Sequence, residues 1–286
     1  MEWITEESES DTRTSYPVTS IVWSGPTTMC NSVIIAKSPV FKTMLFLDGE
    51  LQSAGADEHI YHETLVHPVM GGAGRGKRVL VVGGGEGATV REVLRWSPVT
   101  VDWVDIDMEL VDLCRMHLKW APEVYANPVV HYYPQDIRVA LPAAGIYDVI
   151  ILDLPDPDGD TGYLYSQEFW AGLLLHLAPE GRMVTHCGPV RPFGGVGEGV
   201  QRLQEPLNAA GIDFNRAGFY TQMIPSFQSE WGFWMYVRSA NDSPFGFRTT
   251  VELPQDLRVV DAQTLEQWAN PPLLWRLADF TASVIH

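Results

Sequence analysis

The sequence predicts an α/β protein: a mostly parallel sheet with helices on both faces, preceded by a small N-terminal β domain. Three observations lead there. Beyond residue 77, strand-like and helix-like segments alternate, as in successive βαβ units. The last two strand-like segments, 214–224 and 231–237, follow one another with no helical pattern between them, so an antiparallel pair closes the sheet. A strand runs into the glycine-rich turn 83–87 and then into a helix, which marks a ligand-bearing edge. Together these describe a Rossmann-like, class I methyltransferase-type fold.

Taken in order, residues 1–17 are acidic and polar and read as a flexible tail. Short apolar runs at 32–36 and 43–47, broken by Ser38-Pro39 and Asp48-Gly49, predict the antiparallel β unit. Residues 57–70 turn helical, with Ile60, Leu65 and Val69 apolar, and the glycines of 71–76 read as a hinge. The expected division is therefore 1–72 for the tail and small β domain and 73–286 for the catalytic domain. Strands follow at 78–82, 99–104, 129–133 and 148–152, with helices at 88–96, 109–118 and 166–178. Pro179-Glu180-Gly181 is expected to end the last of these before a strand begins at 183.

Composition narrows the partners. The 286 residues include 36 acidic and 19 basic side chains, a net charge of −17. Such a surface repels nucleic acid and anionic lipid and attracts cations. An apolar fraction of 45% and ten Trp support a substantial core. Cys30, Cys114 and Cys187 are far apart, which fits a reducing compartment. With no secretory pattern at the start and no run long enough to span a bilayer, a cytoplasmic location is expected.

Gly83, Gly85 and Ala88 satisfy the spacing GxGxx(G/A), with the glycines letting backbone approach a ligand. A dinucleotide pyrophosphate would meet the carboxylate of Glu86 in mid-turn, whereas an ammonium or sulfonium would be attracted. Asp105 lies about 20 residues beyond the turn, as an acid binding ribose hydroxyls does. Asp136, after the third strand, is placed to meet an adenine amino group. An adenosyl group plus a cation fits this set. Methyltransferases of this fold place an acid two residues before the first glycine. Here that residue is Val81 and the acid is Glu86. Full S-adenosylmethionine brings a carboxylate there, and its decarboxylated form brings only an amine. Further on, Asp153-Leu154-Pro155-Asp156-Pro157 ends the fourth strand in two carboxylates three residues apart, an anionic clamp at the same edge.

Across nearly its whole length the chain resembles the polyamine aminopropyltransferases. Leu47-Asp48-Gly49-Glu50-Leu51-Gln52 is similar to that family's LDGxxQ segment, and residues 57–63, DEHIYHE, to its DExxYHE segment. The glycine turn with Arg91-Glu92, then Asp105-Ile106-Asp107, Asp136 and the Asp153–Asp156 motif occur in family order. Ile224-Pro225-Ser226-Phe227 with Trp231-Gly232-Phe233 resembles thermospermine synthases more than spermidine synthases.

The resemblance implies that Gln52, Gly83, Gly85, Glu86, Asp105 and Asp136 bind decarboxylated S-adenosylmethionine, a co-substrate, with no prosthetic group. It implies that Tyr61, Asp153 and Asp156 line the reacting amine, with Asp153 as the base, and that His62, Phe227 and Trp231 line the substrate. No metal is expected, although His59, His62 and His67 share one stretch. Phe227 stands where relatives carry a Tyr, and Cys30-Asn31 where many carry Tyr-Gln. Both departures bear on the acceptor, and the apolar ring of Phe227, with Trp231, Phe233 and Trp234 nearby, favours spermidine and a thermospermine-type product, with putrescine next. A homo-oligomer, dimer or tetramer, follows from resemblance alone. The alternatives are an S-adenosylmethionine-dependent amine methyltransferase and a non-catalytic polyamine-binding relative.

Overall fold

A computed structural model of the chain describes residues 2–7, 13–141, 145–155, 159–190, 198–245 and 252–270. The expected tail is in fact a pair of strands: β1 (Glu2–Glu7) runs antiparallel to β2 (Arg13–Val18). Tyr16 and Val18, two residues apart, share one buried face of β2. With so few apolar residues in either strand, the alternation is masked by the polar ones between them.

The antiparallel unit forms as expected, from β3 (Ser20–Gly25), β4 (Val33–Ser38), β5 (Lys42–Leu47) and β6 (Glu50–Ala54) in sequential order. Asp48 and Gly49 both have positive φ, the geometry of a two-residue hairpin turn, which pairs Leu47 with Glu50. Helix α1 (Glu58–Ala73) follows and takes in the first three of the residues expected to hinge, 71–73. Gly71 and Gly72 are helical and buried, and a Cβ on Gly72 would lie 2.1 Å from the Arg182 guanidinium. These glycines serve close packing, and the helix ends at Gly74, φ 92°.

The main sheet joins β7 (Arg78–Gly83), β8 (Thr100–Asp105), β9 (Val130–Pro134), β10 (Tyr147–Asp153), β11 (Leu177–Pro189), β12 (Ala217–Ile224) and β13 (Ser229–Val237). Their order is β12-β13-β11-β10-β7-β8-β9, parallel throughout except where β13 lies between β11 and β12. This is the expected fold. Alternation splits the core: Leu80, Val82, Ile150 and Leu152 face one layer, and Val79, Val81, Val149 and Ile151 the other. The remaining described α-helices are α2 (Ala88–Leu94), α3 (Met108–His117), α4 (Ile137–Ala140), α5 (Gln167–His176), α6 (Glu198–Ala209) and α7 (Ala262–Ala269), with short 3-10 turns at Gly159–Tyr165 and Phe214–Arg216.

Helix α5 ends at His176, earlier than the expected 178, because β11 already begins at Leu177. Pro179-Glu180-Gly181 sits inside that strand, where the register with β10 jumps from Leu177 to Arg182. Among the described residues, no helix is long and apolar enough to cross a membrane.

Candidate active site

β10, β7, β8 and β9 are parallel, so their carboxyl ends share one edge, and chain order reverses between β10 and β7, the place where ligands bind in doubly wound sheets. Asp153 ends β10, Gly83 ends β7, Asp105 ends β8, and Asp136 follows β9. Asp153 and Gly83 are register partners, which brings the glycine turn against the acid. Gly84 N–H donates to the Asp153 carbonyl at 2.9 Å. Gly83 has φ 82°, and a Cβ there would lie 2.0 Å from that carbonyl oxygen. The turn glycines thus admit Asp153 as much as any ligand. Gly85 faces Asp105: a Cβ on it would lie 3.4 Å from Asp105 Oδ2.

Both carboxylate oxygens of Asp153 are held by hydroxyls. Tyr61 OH donates to Oδ1 at 2.7 Å, and Thr89 Oγ1 donates to Oδ2 at 2.6 Å. Tyr61 comes from α1 and Thr89 from the first turn of α2, so three elements fix one carboxylate. The Tyr61 ring is packed edge-on by His62, His186 and Phe227, and tilted against Phe233. Phe227 lies 4.7 Å from Trp231 between centroids and also packs on the Tyr16–Phe46 cluster of the N-terminal unit. The turn carrying Phe227 is tied down by Ser226, whose N–H donates to Asp57 and whose carbonyl accepts from Tyr16 OH.

Glu86 stands beside His62. That imidazole is 1% exposed and lies between two acids, Nε2 at 3.3 Å from Glu86 Oε1 and Nδ1 at 3.0 Å from Glu58 Oε2. Burial would lower its pKa, but the hydrogen bonds and charges of Glu58 and Glu86 outweigh burial and raise it to about 10. Glu58 is pushed up by burial, yet His62 and two guanidinium nitrogens of Arg91 bring it down to about 2. Arg91 continues to Glu92, and Glu92 to His67, whose other nitrogen accepts from Trp96. His62, expected to line the substrate, has Glu58 on one ring nitrogen and Glu86 on the other. His67 is likewise bound into this network.

Asp105 is 8% exposed and accepts from the Asp107 N–H at 2.9 Å. Burial, reinforced by the charges of Asp107, Asp153 and Glu86, pushes its carboxyl up to about 7. Asp136 caps α4 through the Arg138 N–H and pairs with the Arg138 guanidinium, which covers the Tyr163 ring at 3.9 Å. That hydrogen bonding holds Asp136 below the usual carboxylate range. An adenine amino group would share this carboxylate with Arg138. Gln52 is half-buried on β6, its amide donating to the Glu50 carbonyl at 3.5 Å. Asp156 lies outside the described residues.

The structure therefore joins Tyr61, Asp153 and the glycine turn, joins Glu86 to His62, and joins Phe227 to Tyr61 and Trp231 to Phe227. Thr89, Glu58, Arg91 and His186 complete these groups without having been singled out. Glu58 lies inside the DEHIYHE segment and Arg91 in the Arg91-Glu92 pair, whereas Thr89 carries no local signal.

Residues 58–245 match the spermine/spermidine synthase domain. A thermospermine synthase of Arabidopsis thaliana is 32% identical over 82% of this chain and 69% of its own length. A polyamine aminopropyltransferase of Aeropyrum pernix is 31% identical over 97% of this chain and 89% of its own. The solved spermidine synthase of Thermotoga maritima superposes with a TM-score of 0.84 at 20% identity, covering 97% of this chain and 94% of that one. The domain match spans the glycine turn, Asp153 and the closing antiparallel pair, and the chain belongs to the spermine/spermidine synthase family of enzymes.

Proposed function

We propose that the chain transfers an aminopropyl group from decarboxylated S-adenosylmethionine to a polyamine and releases methylthioadenosine. The amine nitrogen attacks the propyl carbon next to the sulfonium. A C–N bond forms, the C–S bond breaks with its electrons going to sulfur, and the nitrogen loses one proton. The observation that carries this reading is the Asp153 carboxylate, fixed by Tyr61 and Thr89 at the carboxyl edge of the sheet. Each oxygen keeps acceptor capacity, so the carboxylate can orient an amine and take up its proton. Polyamine nitrogens titrate near the lysine value of about 10, so most are cations at pH 7 and suit an acidic edge. Glu86 supports an amine-bearing donor over a carboxylate-bearing one. Buried Asp105 suits ribose hydroxyls.

For the acceptor we favour spermidine, with a thermospermine-type product. Phe227 sets an apolar ring beside Tyr61 and Trp231 sets one against Phe227, where methylene segments can pack at about 0.8 kcal/mol per CH₂. The test is which thioether leaves, methylthioadenosine or S-adenosylhomocysteine, when the decarboxylated or the carboxylated donor is supplied with putrescine, spermidine or spermine. Methylthioadenosine release from the decarboxylated donor, fastest with spermidine, is expected. Methyl transfer from the carboxylated donor would overturn the reaction; preference for putrescine would overturn only the acceptor.

A further inference from the structure

We propose that His186 is a further amine-binding residue, its Nδ1 accepting a hydrogen bond from an N–H of the acceptor; this rests on the aminopropyl transfer proposed for the same site. Leu152 of β10 registers with Thr185 of β11, so the next residue along, His186, lies beside Asp153. There β11 also loses its register with β13, between His186 and Pro189, an irregularity of the kind that re-aims a side chain near a site. The ring stands between two others: Tyr61, which holds Asp153, lies edge-on at 5.9 Å, and Trp231 is stacked at 6.1 Å.

Hydrogen bonding fixes the tautomer. Nε2 lies 2.5 Å from the carbonyl oxygen of Leu154, which can only accept, so Nε2 carries the proton. Nδ1 is then a bare acceptor. It is buried and has no partner among the described residues, in a side chain only 7% exposed. Buried acceptors are rarely left unmet, and each one calls for an explanation. The neighbouring Trp231 Nε1 is also buried without such a partner. Asp153 accepts one hydroxyl on each oxygen and keeps capacity for an N–H of the amine, and a second acceptor nearby serves the amine's remaining N–H groups. An imidazole nitrogen supplies it without adding negative charge, and so does not favour the ammonium form as a third carboxylate would.

Three variants separate binding from anchoring. His186→Gln reaches toward the Nε2 position and keeps donation to Leu154; His186→Asn offers its amide oxygen near the Nδ1 position; His186→Phe keeps only the ring. Steady-state kinetics with decarboxylated S-adenosylmethionine and spermidine should show amine KM raised about tenfold in the Gln and Phe variants, with donor KM unchanged. The Asn variant should lie closer to the native enzyme. Unchanged amine KM, an effect on the donor alone, or an Asn variant no better than Gln would overturn the proposal. Calorimetric spermidine binding with methylthioadenosine present reads the same contrast without turnover. A native protein that binds spermidine there but transfers nothing would therefore count against the reaction and not against His186.

Discussion

His62 Nε2 lies 3.3 Å from Glu86 Oε1, and the opposite nitrogen of the same ring is bound by Glu58. The acid in the glycine turn is therefore half of an ion pair. Its attraction for a donor ammonium is smaller than a lone buried carboxylate would exert, but its position is fixed. Glu86→Gln should weaken binding of decarboxylated S-adenosylmethionine by about tenfold, the lower end for loss of a charged hydrogen bond. Calorimetry with both donors checks this, since affinity for the carboxylated donor should not fall.

The same pair makes stability depend on pH. The folded-state pKa of His62, about 10, exceeds its ordinary 6.5. The contribution of the imidazolium is thus complete below about pH 6.5 and is lost as pH rises through about 10. Urea melts of the native protein and His62→Gln should differ most at pH 6 and converge by pH 10. A difference that grows with pH would mean the ring is buried neutral.

Asp105 behaves in the opposite sense to a paired acid. Its carboxyl titrates near 7 when folded against an ordinary 3.8, so the folded state holds the proton longer than the unfolded chain. Stability is complete below about pH 3.8 and is lost as pH rises through about 7. Asp105→Asn should therefore raise the melting temperature by a few degrees at pH 8 and leave it unchanged at pH 4. It should also weaken donor binding, the trade expected where a site holds a buried charge for function.

Asp153 should act on turnover rather than on donor affinity. Asp153→Asn is expected to lower kcat about 10²-fold or more with donor KM unchanged, as for other general-base groups. Thr89→Val removes one of the two hydroxyls that fix the carboxylate and should cost less, about tenfold in kcat. Single-turnover measurements with saturating donor separate these effects from binding.

Much of this arrangement was legible in the chain, for a physical reason. A buried parallel strand writes itself as a run such as Val79–Val82, and the glycine turn and the acids at strand ends are local in sequence. The β1–β2 pair was not legible, because its buried face rests on Tyr16 and Val18 amid charged residues. The glycines at 71–72 read as flexible, yet they are small so that Arg182, more than a hundred residues away, can pack against them. Pairings such as His62 with Glu86, or Thr89 with Asp153, depend on how α1 and α2 dock on the sheet. No local periodicity encodes that docking.

The acceptor prediction turns on Phe227. Its ring lies 6.3 Å from Tyr61, which holds the Asp153 carboxylate, and 4.7 Å from Trp231, and the proposed site would use it as a wall. Phe227→Tyr adds a hydroxyl to that wall with little change in volume, and the hydroxyl can meet the second nitrogen of a short diamine. It also places a polar group where the methylenes of a longer polyamine would pack, about 0.8 kcal/mol for each CH₂ displaced. The ratio of kcat/KM for spermidine to that for putrescine should therefore fall, by about tenfold if putrescine gains one hydrogen bond and spermidine leaves one methylene unpacked. Because Phe227 also packs on Tyr16 and Phe46, melting temperature must be followed alongside. A variant of native stability with an unchanged ratio would show that Phe227 seals the N-terminal unit to the main sheet and does not select the amine.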